Sequence, residues 1–155
     1  NSVIIFILID LIFYIYYMIY INLLLAVLFI SVSAIGKAGM DILQFKYHDF
    51  KFKDKLNPNF WNPSISWKNK YKNLDVSQGE KFLGSTTIFV FLTDGWHLCQ
   101  FVFLNSLFIS ALFLFPLYSA NLNLITISIL VVLRIVFGLV FTLFYKKIFI
   151  KNGLH

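Results

Sequence analysis

Asp94 and His97 stand three residues apart in the run Thr93-Asp94-Gly95-Trp96-His97, inside a stretch (83–115) that otherwise reads as a membrane span. A spacing of three puts both side chains on one face of a helix, with Asn105 nearly in line. An acid beside an imidazole can orient a general base, supply half of a metal site, pass a proton, or form a buried ion pair. Hydrocarbon makes an ionisable group costly, so each one needs a partner or a task. A second set lies upstream. Lys37, Asp41, Gln44 and His48 recur at i, i+4, i+7 and i+11, one stripe of a helix. Arg134 stands alone in the last apolar run.

Depth gives these residues a common level. With membrane edges near His48, Gly84 and Lys146, Asp41 lies about 10 Å deep, Lys37 about 16 Å, Asp94 about 15 Å, His97 about 20 Å and Arg134 about 18 Å. Two acids, two bases and one histidine then share a layer, and the formal charges cancel. The leading expectation is a polar network of Lys37, Asp41, Asp94, His97 and Arg134 that holds a bundle together. A metal site would use Asp41, His48, Asp94 and His97, two carboxylates and two imidazoles on facing helices. Against it, no Glu-x-x-His or His-Glu-x-x-His motif is present, and Lys37 and Arg134 would repel a cation. A metal-free catalytic site would use His97 or His48 as base, oriented by Asp94 or Asp41. Lys37 and Arg134 would then bind the phosphate or carboxylate of a lipid headgroup or prenyl phosphate. The same residues could also carry a proton or an ion. No motif names a cofactor.

The elements that must position these residues are membrane helices. Of 155 residues, 59% are hydrophobic and 13% charged, against about 45–50% and about 25% in soluble domains. Mean hydropathy is +0.80. The expected fold is all-α, a polytopic transmembrane bundle of three to four spans in one domain with one polar cytoplasmic loop. Residues 3–35 are apolar apart from Asp10 and Asn22, too long for one ordinary span. Spans at about 3–20 and 23–45 would need a turn at 20–22, where there is no Gly or Pro. Residues 1–17 could instead be an upstream extension, since Met18 precedes the better-behaved span. Asp10 has no obvious partner. Further spans are expected at about 86–115 and 124–145, joined by an uncharged turn at 116–123.

Ser31, Ser33, Ala34, Gly36, Ala38 and Gly39 are small and allow close helix approach. The lone cysteine, Cys99, reads as a small buried side chain. Loop 46–83 carries Trp61, Trp67 and Tyr71 with Lys68, Lys70 and Lys72, the composition of an interfacial segment facing anionic headgroups. An aromatic loop packed on the bundle mouth is the competing expectation. Pro58 and Pro63 argue against a regular helix there. Gly79-Glu80-Lys81-Phe82-Leu83-Gly84-Ser85-Thr86 has phosphate-loop spacing but Ser where lysine is needed and no preceding strand, so Ser85 or Thr86 reads as a helix N-cap. The lysines of the loop and of Lys146, Lys147 and Lys151 place loop and C-terminus on the cytoplasmic side. Those lysines flank spans and form no separate basic domain, which excludes nucleic acid as a partner. A homo-oligomer or a larger membrane complex remains open.

The runs from Gly36 to Phe45, Phe60-Trp61-Asn62-Pro63, Ser66-Trp67-Lys68-Asn69-Lys70-Tyr71-Lys72-Asn73, Gly79-Glu80-Lys81-Phe82 and Thr93-Asp94-Gly95-Trp96-His97-Leu98 resemble an uncharacterised family of small polytopic membrane proteins from bacterial and phage genomes. The resemblance covers about residues 24–115. It implies that these motifs belong together, with a family start close to Met18; a bacterial inner membrane is the expected location. It implies no activity.

Overall fold

The computed structural model describes residues 2–116 and 123–151. Helix α1 (Ser2–Phe45) is followed by a loop with two single-turn helices, α2 (Pro58–Trp61) and α3 (Pro63–Ser66). Then come α4 (Gly95–Leu112) and α5 (Asn123–Leu143), the latter ending in a π turn, Phe144–Ile148. Three segments are long and apolar enough to cross a membrane: Ile4–Phe45, Gly95–Leu112 and Leu124–Ile148. Among the described residues no strand forms beyond two isolated bridges, Phe50 with Ile150 and Tyr71 with Glu80.

The small residues of α1 explain how the bundle closes. Ala26, Ala34, Ala38 and Ser33 are fully buried. A Cβ on Gly36 would stand 2.8 Å from the backbone nitrogen of Phe103 and 2.9 Å from the carbonyl of Cys99. Lipid tails are as apolar as leucine, so such backbone approach and interhelical hydrogen bonds supply the attraction that burial supplies in water. The Ser33 hydroxyl donates to the Phe103 carbonyl at 2.8 Å, and the Ser110 hydroxyl to the Ala26 carbonyl at 2.9 Å. The ascending and descending numbers make α1 and α4 antiparallel. α5 runs parallel to α1, with Ile125 and Ile129 beside Leu23 at one end and Tyr145 under the Lys46 amine at the other.

Two apolar clusters lie at the two ends. Ala26, Ile30, Leu114 and Leu133 form the first. Ile42, Leu43, Phe50 and Ile150 form the second, with Trp61, Trp96 and Phe149 packed on it. The Lys51 amide donates to the Phe149 carbonyl at 2.7 Å, and the Lys151 amide to the Asp49 carbonyl at 3.0 Å. The lysine-rich loop and the lysine-rich C-terminal turn therefore share one end of the bundle.

Four expectations change. α1 passes unbroken through residues 20–22, because nothing there stops a helix. The span expected at 86–115 is helical only from Gly95. Gly84, at φ +77, turns the chain instead, and residues 84–93 form turns and a short 3-10 helix. Neither Ser85 nor Thr86 caps a helix. The Ser85 hydroxyl donates to the Lys70 carbonyl at 2.7 Å and ties the loop to itself. The Pro58–Pro63 stretch is also more regular than its prolines suggested. Asn57 and Asn62 each accept from the amide two residues on, and each proline occupies the first helical position, where its missing N–H costs nothing.

Candidate functional site

Asp94 is the N-cap of α4. Its backbone is extended (φ −152, ψ 159), and Oδ1 accepts from the His97 amide at 3.0 Å. Oδ2 lies 2.6 Å from His97 Nδ1. One carboxylate thus satisfies an orphan helix amide and holds an imidazole ring in place. Asp94 is only 2% exposed. A buried carboxylate is tolerable only with such partners.

The loop roofs this corner. The Trp61 ring lies against Gly95 so closely that a Cβ there would stand 2.4 Å from it. Asn69 Nδ2 donates to the Thr93 carbonyl at 3.0 Å and also to the Asn59 carbonyl. The Thr93 hydroxyl donates to the Val90 carbonyl at 2.6 Å. Trp96 stands edge-on to His97, its indole donating to Gln44 Oε1 at 3.2 Å. Outside the membrane segments, Glu80 accepts from the Thr86 hydroxyl and from the Gly84 amide, bonds that hold its carboxyl below the usual range. Asp75 is held low in the same way by the amide and hydroxyl of Ser77.

The other expected site residues are placed separately. Lys37 and Asp41 form an i, i+4 ion pair within α1, on the stripe that runs down from Ile30. His48 faces water, its ring 78% exposed, and pairs with Asp49 at 2.9 Å. Arg134 is exposed on α5, its guanidinium 6.0 Å from the centre of the Phe137 ring. The single charged layer is therefore replaced by local pairs. Its geometry assumed a helix from residue 86, whereas Asp94 stands at a helix start and takes its partner from the first turn. Asp41, His48, Asp94 and His97 do not gather into a metal site. Among the described residues no group of three or more His, Cys, Asp or Glu could hold a metal ion. Every buried side-chain polar atom among the described residues has a hydrogen-bond partner.

The aromatic loop divides between its two expectations. Trp61 packs inward on the second apolar cluster. Trp67 is 42% exposed with the Lys68 amine 5.5 Å from its ring, and the Lys70 amine lies 5.6 Å from Tyr71. Lys72 is exposed beside them. Cys99 sits beneath Gly39, half-buried at the α1–α4 seam. Gly95 and Asn69 were not singled out from the sequence. Gly95 could have been, as a residue following an N-cap acid under a tryptophan-rich loop, whereas no sequence signal marks Asn69.

Five surface cavities of ≈ 300 to ≈ 550 Å³ are lined by neither Asp94 nor His97. The nearest, ≈ 300 Å³, reaches Thr93 from the side of Asn57, Asn69 and Lys81. Comparison of the chain with family models, curated proteins and solved structures found no match.

Proposed function

We propose that this is a non-catalytic membrane component, a scaffold or accessory subunit of a bacterial inner membrane, with loop 46–83 and the C-terminus cytoplasmic. The observation that carries the reading is the full use of Asp94. Both its oxygens are engaged by the first turn of α4, and it is only 2% exposed. A group arranged in this way builds structure. The lysines at the loop end then face anionic headgroups.

One observation favours a second reading. His97 Nε2 has no partner among the described residues, and Asp94 orients the ring as it would a general base acting on a lipid headgroup. His97→Gln separates the two. In a strain whose chromosomal copy is deleted, a His97→Gln chain at normal membrane abundance that restores the wild-type phenotype supports the non-catalytic role. A folded, normally abundant His97→Gln chain that fails to restore it overturns that role in favour of chemistry.

A further inference from the structure

Among the described residues of the bundle from Leu23 onward, Arg134 is a charge without an ion-pair partner. Lys37 is paired with Asp41, and Asp94 with His97. Among the described residues no carboxylate approaches Arg134; its guanidinium lies 6.0 Å from the centre of the Phe137 ring and close to Gly138. It stands ten residues from Leu124 and twelve from Lys146, about 15 Å and about 18 Å from the two ends of the span. The guanidinium reaches toward Gly138, one turn nearer the C-terminal end, and still lies well inside the span. A guanidinium exposed there is costly in hydrocarbon, and a carboxylate facing it from outside the chain would offset that cost.

The surface beside it has the shape for one. A groove of ≈ 360 Å³ runs between α4 and α5, with Ile30 at its floor, Leu107 and Ala111 on one wall, and Leu130 and Phe137 on the other. Arg134 lines the same groove. Phe137 stands beside the guanidinium, whose fork can donate two parallel bonds to a carboxylate. Small Ala111 lets another backbone come near.

This chain has no acid of its own for that place. Asp41 and Asp94 are already paired. Asp10 lies twenty residues before Ile30 on one unbroken helix, which puts it about 30 Å away along the axis. A second copy with the same straight helix carries its Asp10 at that same distant level, whereas a bend near residues 20–22 would bring Asp10 into the bilayer, the case that Asp10→Asn tests.

We propose that the α4–α5 groove receives a transmembrane helix of a different protein that carries one carboxylate near mid-depth, and that Arg134 pairs with it. The proposal rests on membrane embedding alone and holds whether or not His97 proves catalytic. The probe is a synthetic lysine-flanked Leu/Ala helix with a single central Glu, acceptor-labelled, in phosphatidylcholine vesicles with the full chain donor-labelled at its C-terminus. The Glu peptide is expected to associate about tenfold more tightly than its Glu→Leu counterpart. Arg134→Lys retains the preference. Arg134→Leu removes it with helix content unchanged, since the side chain is exposed. Equal energy transfer from the Glu and Leu peptides overturns the proposal, as does a preference that survives Arg134→Leu. Self-association of the labelled chain that is abolished by Asp10→Asn also overturns it, by making the occupant a second copy.

Discussion

Asp94 performs two tasks that substitution can separate. Replacing it by alanine removes the N-cap of α4, a loss of about 1 kcal/mol. It also leaves His97 Nδ1 without its acceptor in a half-buried setting, which costs about 1–3 kcal/mol more. Because the two bonds come from different oxygens of one carboxylate, at 3.0 and 2.6 Å, the costs add to about 2–4 kcal/mol. Asp94→Ser keeps a cap acceptor for the His97 amide but is too short to reach the ring, so it recovers about 1 kcal/mol of that loss. The measurement is unfolding in mixed micelles by titration with SDS, followed by helical circular dichroism, on wild type and both variants. The order expected is wild type, then Asp94→Ser, then Asp94→Ala. An Asp94→Ala chain within about 0.5 kcal/mol of wild type, the range of a neutral surface change, refutes the assignment of Asp94 as a buried structural cap. Equal losses in Ala and Ser refute the separation of the two tasks.

Gly36→Ala puts a methyl against backbone atoms at 2.8 and 2.9 Å, so helices α1 and α4 must separate; a loss of about 1–3 kcal/mol is expected in the same titration. Gly95→Ala meets the Trp61 ring at 2.4 Å and expels it from the roof of the site, read as a red shift in Trp61 emission when Trp67 and Trp96 are replaced by phenylalanine. Acid should loosen the loop before the bundle. Asp54 is held low by its bond to Lys151, Asp75 by Ser77, and Glu80 by Thr86. Their stabilisation is complete above the ordinary values of 3.8 for Asp and 4.5 for Glu and disappears as pH falls through the lower folded values. Amide exchange in residues 46–93, corrected for intrinsic rate, should therefore rise below about pH 4 while α4 stays protected.

The helices were legible because their composition leaves little choice. Apolar runs closed by lysines mark α1 and α5 as membrane segments without any pattern of contacts, although span length divides α1 near residues 20–22 where one helix runs from Ser2 to Phe45. The small residues from Ser31 to Gly39 announced the seam, and Gly36 and Ser33 lie on it as that reading required. The error at α4 has a clear origin. Residues 83–93 are as apolar as a helix, and hydropathy does not report that Gly84 turns the chain or that Asp94 starts a new helix. Moving the helix start by nine residues moved Asp94 from mid-span to a cap and dissolved the charged layer. The pairing itself followed local rules of i, i+3 and i, i+4, which the spacings of Asp94–His97 and Lys37–Asp41 did carry. Contacts across sixty residues or more, such as Ser33 with Phe103, set the register and leave no trace in one sequence.

The length of α1 poses a problem that the bundle alone does not solve. Its 44 residues extend about 66 Å, against about 30 Å of hydrocarbon. Tilt alone would have to reach about 63°, beyond the 0–40° that membrane helices show. The helix therefore has two halves with different surroundings. The half from Leu23 onward carries the hydrogen bonds to α4 and most of the buried packing, and is the span that belongs to the bundle, while Ile12, Ile15 and Ile19 of the first half lie beside Ile125 and Ile129 of α5. The half before it exposes Ile5, Phe6, Ile12, Phe13 and Tyr16 by 51% or more, around all sides of the helix. Water does not tolerate such a surface, so lipid or another helix must cover it, and only a bend near residues 20–22 lets the same bilayer do so. A tag ahead of residue 2 decides the matter by its side of the membrane. With the loop inside, an outside tag means three crossings and a covered projection, and an inside tag means four crossings with α1 bent.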